Sequence, residues 1–258
     1  MTNITASAVS SLRVRTGVPI LACKKALEES GGDEEKAIEF LRKQGIAQTA
    51  KQAGRAQSQG CVFAASGKGK AALVLLLCET DFVARADNFQ STGRELASVL
   101  LAEGKEAMQK KAEQAIPSLV QKLGENITAG EPATVEAPVI GIYVHTNGKI
   151  GVAIGLDGGT EAGARDVAMH AAAMNPLYVS PDRVPADVIE AEKAIWREQI
   201  RKEGKPDAIV EKIMIGKEKK FREENALVTQ EFVKEPGKTV GAFLGGAHVT
   251  AYARIAVA

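Results

Sequence analysis

Along the chain, stretches in which apolar residues recur every three or four positions alternate with short unbroken apolar runs, the patterns of amphipathic helices and of buried strands. Ala71 to Leu77 is the clearest run: aliphatic throughout, short enough for a core strand, and followed by Thr80 and Asp81, both good helix N-caps. The segment from Phe82 to Leu101 then reads as a helix. Thr80 or Asp81 would satisfy free N–H groups of its first turn, with Phe82 on the corner between strand and helix. This segment alone leaves two readings of Phe82 open, a hydrophobic staple folded onto its own helix and an aromatic held out for a partner. Aromatic residues make up only 4% of the chain, so one placed on a polar corner is informative.

The same pattern divides the rest of the chain. Residues 5–45 read as three short helices: Thr5 caps the first, Val9 and Leu12 share its apolar face, and Gly17 ends it. Pro19 suits the start of the second, which runs to Ser30 and Gly31; the third opens on Asp33-Glu34-Glu35 and closes on Arg42-Lys43 before Gly45. Residues 46–59, with few large apolar side chains, look like a linker with helical propensity. A weak repeat follows: Gly67-Lys68-Gly69-Lys70 and Thr146-Asn147-Gly148-Lys149 each place a turn between strand-like runs, and helical segments over 84–101 and 163–173 come after. That implies an α+β fold with two related halves, each an antiparallel sheet with helices on one face. Only the first copy carries both the acid and the aromatic at its corner. Twenty of the 41 residues from 185 to 225 are charged, ten of each sign, around stripes at Val188, Ala191 and Ile195 and at Val210, Met214 and Phe221. With Gly204-Lys205-Pro206-Asp207 between them, these predict a projecting helical hairpin with Trp196 as its packing anchor. Strand character returns over 249–257.

Composition narrows the function. At 258 residues the chain suits two or three modules, and a net charge of +1 advertises neither nucleic acid nor an anionic membrane as a partner. The start, Met1-Thr2-Asn3-Ile4-Thr5, lacks the form of a signal peptide and no apolar stretch has the length of a membrane span, so a cytoplasmic protein is expected. Cys23, Cys61 and Cys78 form an odd set without C-x-x-C spacing, which reads as reduced, partly buried thiols. His145, His170 and His248 have no companions at metal-ligand spacing, so structural or surface roles are expected and no metal.

Two phosphate motifs fail on inspection. Pro236-Gly237-Lys238-Thr239 would end a P-loop only with glycine where Phe232 stands, and Gly67-Lys68-Gly69 precedes a strand instead of opening a helix, so it reads as a hairpin turn. A catalytic Cys78 would need exposure and a nearby His, whereas its place at the end of an aliphatic strand predicts a raised pKa. At the amino-terminal bundle, Arg13, Arg15, Lys24 and Lys25 rim the apolar pair Ile20-Leu21, a combination that suits a protein interface better than a nucleic-acid one.

Taken together, Leu12 to Gly17, Cys23-Lys24-Lys25-Ala26-Leu27, Gly32-Asp33, Ala37-Ile38, Leu41-Arg42, Thr80-Asp81-Phe82-Val83, Gly124-Glu125-Asn126-Ile127, Ala168 to Ala172 and Lys238-Thr239-Val240 resemble the bacterial elongation factor Ts family in order and spacing. The resemblance covers nearly the whole chain. It implies a guanine nucleotide exchange factor for the GTPase elongation factor Tu, without catalytic residues, cofactor or metal of its own. It also implies a ubiquitin-associated-like three-helix domain at 1–45, a linker at 46–59, a first core subdomain at 60–135, a second at 136–186 and 226–258, and a coiled-coil insertion at 187–225.

By the same resemblance Thr80, Asp81, Phe82 and Val83 press on the GTPase and displace its magnesium, so that GDP leaves. Leu12, Arg13, Ile20 and Leu21 are expected to meet the GTPase domain. His145, together with the Gly124 to Ile127 segment, is expected on the second subdomain for another domain of the partner. A homodimer and a 2:2 complex are both compatible with the residues. Ala129-Gly130 replaces a basic pair frequent in the family, and Ala258 comes before the position of a carboxy-terminal helical extension that some members carry. Two other classes remain open at this point, a passive binding module and a thiol-dependent hydrolase.

Overall fold

The computed structural model describes residues 4–202 and 207–258; Met1-Thr2-Asn3 and the Gly204-Lys205-Pro206 stop lie outside the described residues. Three helices come first, α1 (Ala6–Thr16), α2 (Ile20–Glu29) and α3 (Glu34–Gln52). Strands β1 (Gln59–Gly67) and β2 (Lys70–Cys78) form a hairpin, followed by α4 (Asp81–Ala84), α5 (Asp87–Glu103) and α6 (Lys105–Leu123). Then come β3 (Thr128–Ala129), β4 (Ala133–Glu136), β5 (Val139–Val144), β6 (Ile150–Asp157) and α7 (Glu161–Met174). The chain continues with α8 (Ala186–Lys202), α9 (Asp207–Asn225), α10 (Val240–Leu244) and β7 (His248–Ala256).

Two antiparallel sheets stack back to back. In the first, β2 is central, paired with β1 on one side and with β3 and β4 in succession on the other. In the second the order is β5-β6-β7. The unbroken apolar run of β2 is explained by burial on both faces. Ala72, Val74, Leu76 and Cys78 face α5 and α6, with Phe89, Leu96 and Leu100 beneath them. Ala71, Leu73 and Leu75, with Val62 of β1 and Val135 of β4 on the same face, pack against Ile140, Ile142, Ala153 and Ala253 of the second sheet. Val152, Ile154 and Leu156 of β6 turn the other way, onto α7, Leu227, Phe232 and Val240. The layers are therefore helices, sheet, sheet, helix. Gly151 permits the close sheet contact, because a Cβ there would lie 2.4 Å from a Val62 methyl carbon.

The two halves share a plan, as the repeat suggests. Each has a hairpin, a turn and then a helix whose N-cap is a threonine: Thr80 Oγ1 accepts from the Val83 N–H and Thr160 Oγ1 from the Gly163 N–H. The Gly67-Lys68-Gly69 turn is the expected hairpin, with Lys68 and Gly69 both at positive φ (48° and 73°) as a type I′ turn requires.

Three expectations need correction. The helix read from Phe82 to Leu101 is two helices, α4 and α5, because Ala86 is extended (ψ 137°) and interrupts the ladder. The third helix of the bundle does not close before Gly45 but runs on to Gln52, so the first half of the expected linker, for which helical propensity is expected, belongs to it. Gly45 is there for contact, since a Cβ would lie 2.8 Å from the Pro117 carbonyl oxygen where α3 crosses α6. Along α8 the buried stripe is Ile189, Trp196 and Ile200, with Ile195 half exposed, one position away from the expected one. Trp196 does anchor the helix pair, its ring edge-on to Phe221 with centroids 5.7 Å apart.

His170 links α7 to the chain leaving α9. It is fully buried; its Nδ1 accepts from the Val233 N–H (3.3 Å), so its Nε2–H faces Gln230 Oε1 (3.1 Å), and Gln230 Nε2 in turn donates to the Glu224 carbonyl (2.9 Å). Burial holds the imidazole pKa below its ordinary value, against a smaller opposing effect of the Gln230 bond. A folded pKa below the unfolded one means that the native state binds fewer protons, so this part of the stability is present above about pH 6.5 and is lost as pH falls below it. The melting temperature is expected to drop between about pH 7 and about pH 5. His170→Gln, which removes the titrating ring, is expected to flatten that part of the curve in thermal melts across the range.

Candidate functional site at the β2–α4 corner

Phe82 stands on the corner, 82% exposed, whereas Phe63, Phe89, Trp196 and Phe232 are buried. The staple reading is therefore wrong: the ring does not fold onto its helix. The next two residues behave oppositely, because Val83 and Ala84 are buried beneath the corner and join the first sheet's core. Of the four residues expected to act on a partner, Thr80, Asp81 and Phe82 present themselves and Val83 anchors them. Asp81 pairs with Arg85 one turn on (2.8 Å), an exposed ion pair of little energetic weight.

The turn is braced from below. Glu125, just past the left-handed Gly124 that ends α6, accepts through Oε2 from the Glu79 and Thr80 N–H groups (3.0 Å each) and through Oε1 from the Thr80 hydroxyl (2.6 Å). Glu79 reciprocates: Oε1 accepts from the Asn126 N–H (2.6 Å) and Oε2 from Arg55 (2.7 Å). The Asn126 amide donates to the Arg55 carbonyl (2.8 Å), while Gln57 reaches the Asn126 carbonyl (3.1 Å). Sequence reasoning missed these residues as a group, for they lie far apart in the chain. Gly124 to Ile127 is corrected accordingly: it buttresses the Phe82 corner, with Asn126 and Ile127 buried, instead of sharing an outer surface with His145.

His145 lies in the β5–β6 turn, exposed, with its Nδ1 2.9 Å from the Tyr143 hydroxyl. A cleft of about 1050 Å³ brings it together with the corner, lined by Asp81, Phe82 and Arg85 on one element and by His145, Asn147 and Lys149 on another. The Val62 N–H donating to the Gly148 carbonyl (2.7 Å) ties that turn to β1.

In the bundle, Arg13, Ile20 and Leu21 are exposed, Leu21 by 79%. Leu12 is corrected: at 0% exposure it lies in the bundle core with Val9, Cys23 and Leu27 and holds the surface up without being part of it. Val14, not singled out from sequence, is exposed by 83% because it lies off the Val9–Leu12 face.

Cys78 is buried and donates to the Thr80 carbonyl (3.2 Å); burial, then the nearby Glu125 charge, pushes its pKa up to about 12. Burial likewise raises Cys61. Cys78, at 0% exposure, lacks the exposure that the hydrolase reading requires of it. Among the described residues, no helix is long and apolar enough to cross a membrane.

Comparison with known proteins gives the same outline. A family model described as elongation factor TS matches residues 79–258. The chain is 46% identical over 264 aligned residues to elongation factor Ts of Alcanivorax borkumensis, covering 96% of this chain and 92% of that protein. It is 46% identical to the one from Marinobacter nauticus over 93% of this chain and 86% of that protein. Against the one from Vibrio atlanticus the identity is 44% over 100% of this chain and 92% of that protein.

Proposed function

Since the chain belongs to the elongation factor Ts family, we infer that it acts in translation as the guanine nucleotide exchange factor of elongation factor Tu, binding the GDP form and promoting release. The observation that carries the mechanism is the exposed Phe82 on a turn braced by Glu125. In this reading Phe82 enters the GTPase between its helices, Asp81 and Thr80 shape the turn, and Val83 roots it. Magnesium and the phosphate-loop amides of the GTPase neutralise the nucleotide phosphates, so a small displacement there weakens GDP binding strongly. The chain needs no chemistry of its own: it shifts an equilibrium by binding the nucleotide-free conformation more tightly, and linkage makes the antagonism with GDP reciprocal.

Arg13, Ile20 and Leu21 supply a second contact from the bundle, which we read as ubiquitin-associated-like, and His145 a third. The α8–α9 pair is read as a coiled-coil insertion. The protein is placed in the cytoplasm as a non-enzymatic partner of the GTPase.

Fluorescent GDP released from elongation factor Tu, followed with and without this chain, tests the reading. Release is expected to accelerate on the order of a hundredfold, the equivalent of about 2.7 kcal/mol off the release barrier. Tight binding with an unchanged release rate would instead establish a passive binding module.

A further inference from the structure

We propose that Glu125 is a positioning residue for nucleotide exchange, its carboxylate holding the Glu79–Thr80 turn so that Phe82 is presented in one orientation; this rests on the exchange function inferred above. The need for such a residue follows from the corner itself. Helix α4 has four residues, too few to persist on its own hydrogen bonds. Phe82, exposed by 82%, does nothing to hold it. The Glu79 and Thr80 N–H groups fall after the last pairing of β2 and before the first turn of α4, where neither ladder supplies an acceptor.

Glu125 supplies both acceptors and takes the Thr80 hydroxyl as well. That hydroxyl is the N-cap oxygen, accepting from the Val83 N–H at 3.4 Å while it donates to Glu125, so the carboxylate also fixes the rotamer of the cap. Glu125 is itself held, by the left-handed Gly124 (φ 77°) before it and by buried Asn126 and Ile127 after it. The Glu79 carboxylate completes the clasp from the opposite side by accepting the Asn126 N–H.

The chemistry selects a carboxylate. Three donors converge on two oxygens, and an ionised acid offers acceptors only, whereas an amide would turn an N–H₂ toward donors. Charge-assisted bonds of this kind are about twice as strong as neutral ones. A wedge ordered before binding spares the cost of ordering it on contact, so its loss appears in stimulated exchange.

The test is a double-mutant cycle on stimulated GDP release, with amide hydrogen exchange read on the same proteins. Glu125→Gln is expected to lower the stimulated rate by about tenfold. Its amide exchange is expected to quicken at residues 79–83 while the helices and sheets stay protected. In a Phe82→Ala background the same substitution is expected to add less than about twofold, because Glu125 acts through Phe82. Thr80→Val, which removes one donor and the cap, gives an independent route should Glu125→Gln fail to fold, with a loss of about threefold or more expected. A wild-type rate for Glu125→Gln, or a full tenfold loss persisting without Phe82, overturns the positioning role. Full activity of Phe82→Ala alone overturns the exchange mechanism of the corner instead, and this role with it.

Discussion

Phe82→Ala is expected to slow stimulated GDP release from elongation factor Tu by roughly ten- to hundredfold, the equivalent of the about 1.5–3 kcal/mol that burying one large apolar side chain provides. Its melting temperature is expected to match that of the unchanged protein. The two halves of the expectation share one cause. In the free protein the ring is 82% exposed, so truncation removes almost no buried surface and leaves no cavity. In the complex we propose, the same ring would be the central anchor, and such aromatic anchors carry a large share of an interface's energy. Rate and stability therefore part company at this residue, which stopped-flow release and a thermal melt of the same sample would show. A matched loss of both would mean that the ring supports the fold.

Leu12 and Leu21 are expected to fall on opposite sides of that divide. Leu12→Ala is expected to cost about 2–5 kcal/mol of bundle stability, since it empties a fully buried site among Val9, Cys23 and Leu27 in a core of three short helices. So small a bundle has little stability in reserve, and its unfolding is expected to appear as lost helical signal with α5, α6 and the sheets still folded. Leu21→Ala, at 79% exposure, is expected to leave the melt unchanged and to weaken binding of the GTPase by about tenfold. Circular dichroism separates the two from calorimetric titration with the partner. A stable Leu12→Ala that binds weakly would restore Leu12 to the contact surface.

The distinction between these leucines shows what was legible beforehand. Leu12 falls in a segment that resembles the elongation factor Ts family and Leu21 just before another. The resemblance assigned both to the GTPase, while the basic rim around Ile20-Leu21 already marked Leu21 for a protein interface. Helical periodicity already placed Leu12 on the Val9 face, which the structure buries. Local punctuation was read well: Thr5, Gly17, Asp33 and Thr80 cap or end helices as expected, because capping depends on a few adjacent backbone groups. Where a long-range contact overrides the local rule, the reading failed. Gly45 resembles a helix stop yet continues α3, since its missing Cβ is used against Pro117 of α6. The α8 stripe slipped by one residue because Val188 and Ile195 satisfy the helical period about as well as Ile189 and Trp196, and only the position of α9 chooses between them.

By itself, then, the sequence determined the α+β class, the central strand β2, a side-chain cap at Thr80 or Asp81 and the presence of an aromatic at the β2–α4 corner, all properties of neighbouring residues. The tertiary structure decided that Phe82 points outward and that His145 shares its cleft. It also decided that Glu125, 46 residues from Glu79, braces the turn. Those facts depend on which distant backbone groups meet, and hydrogen bonds between turns that far apart leave no period or spacing in the chain to read.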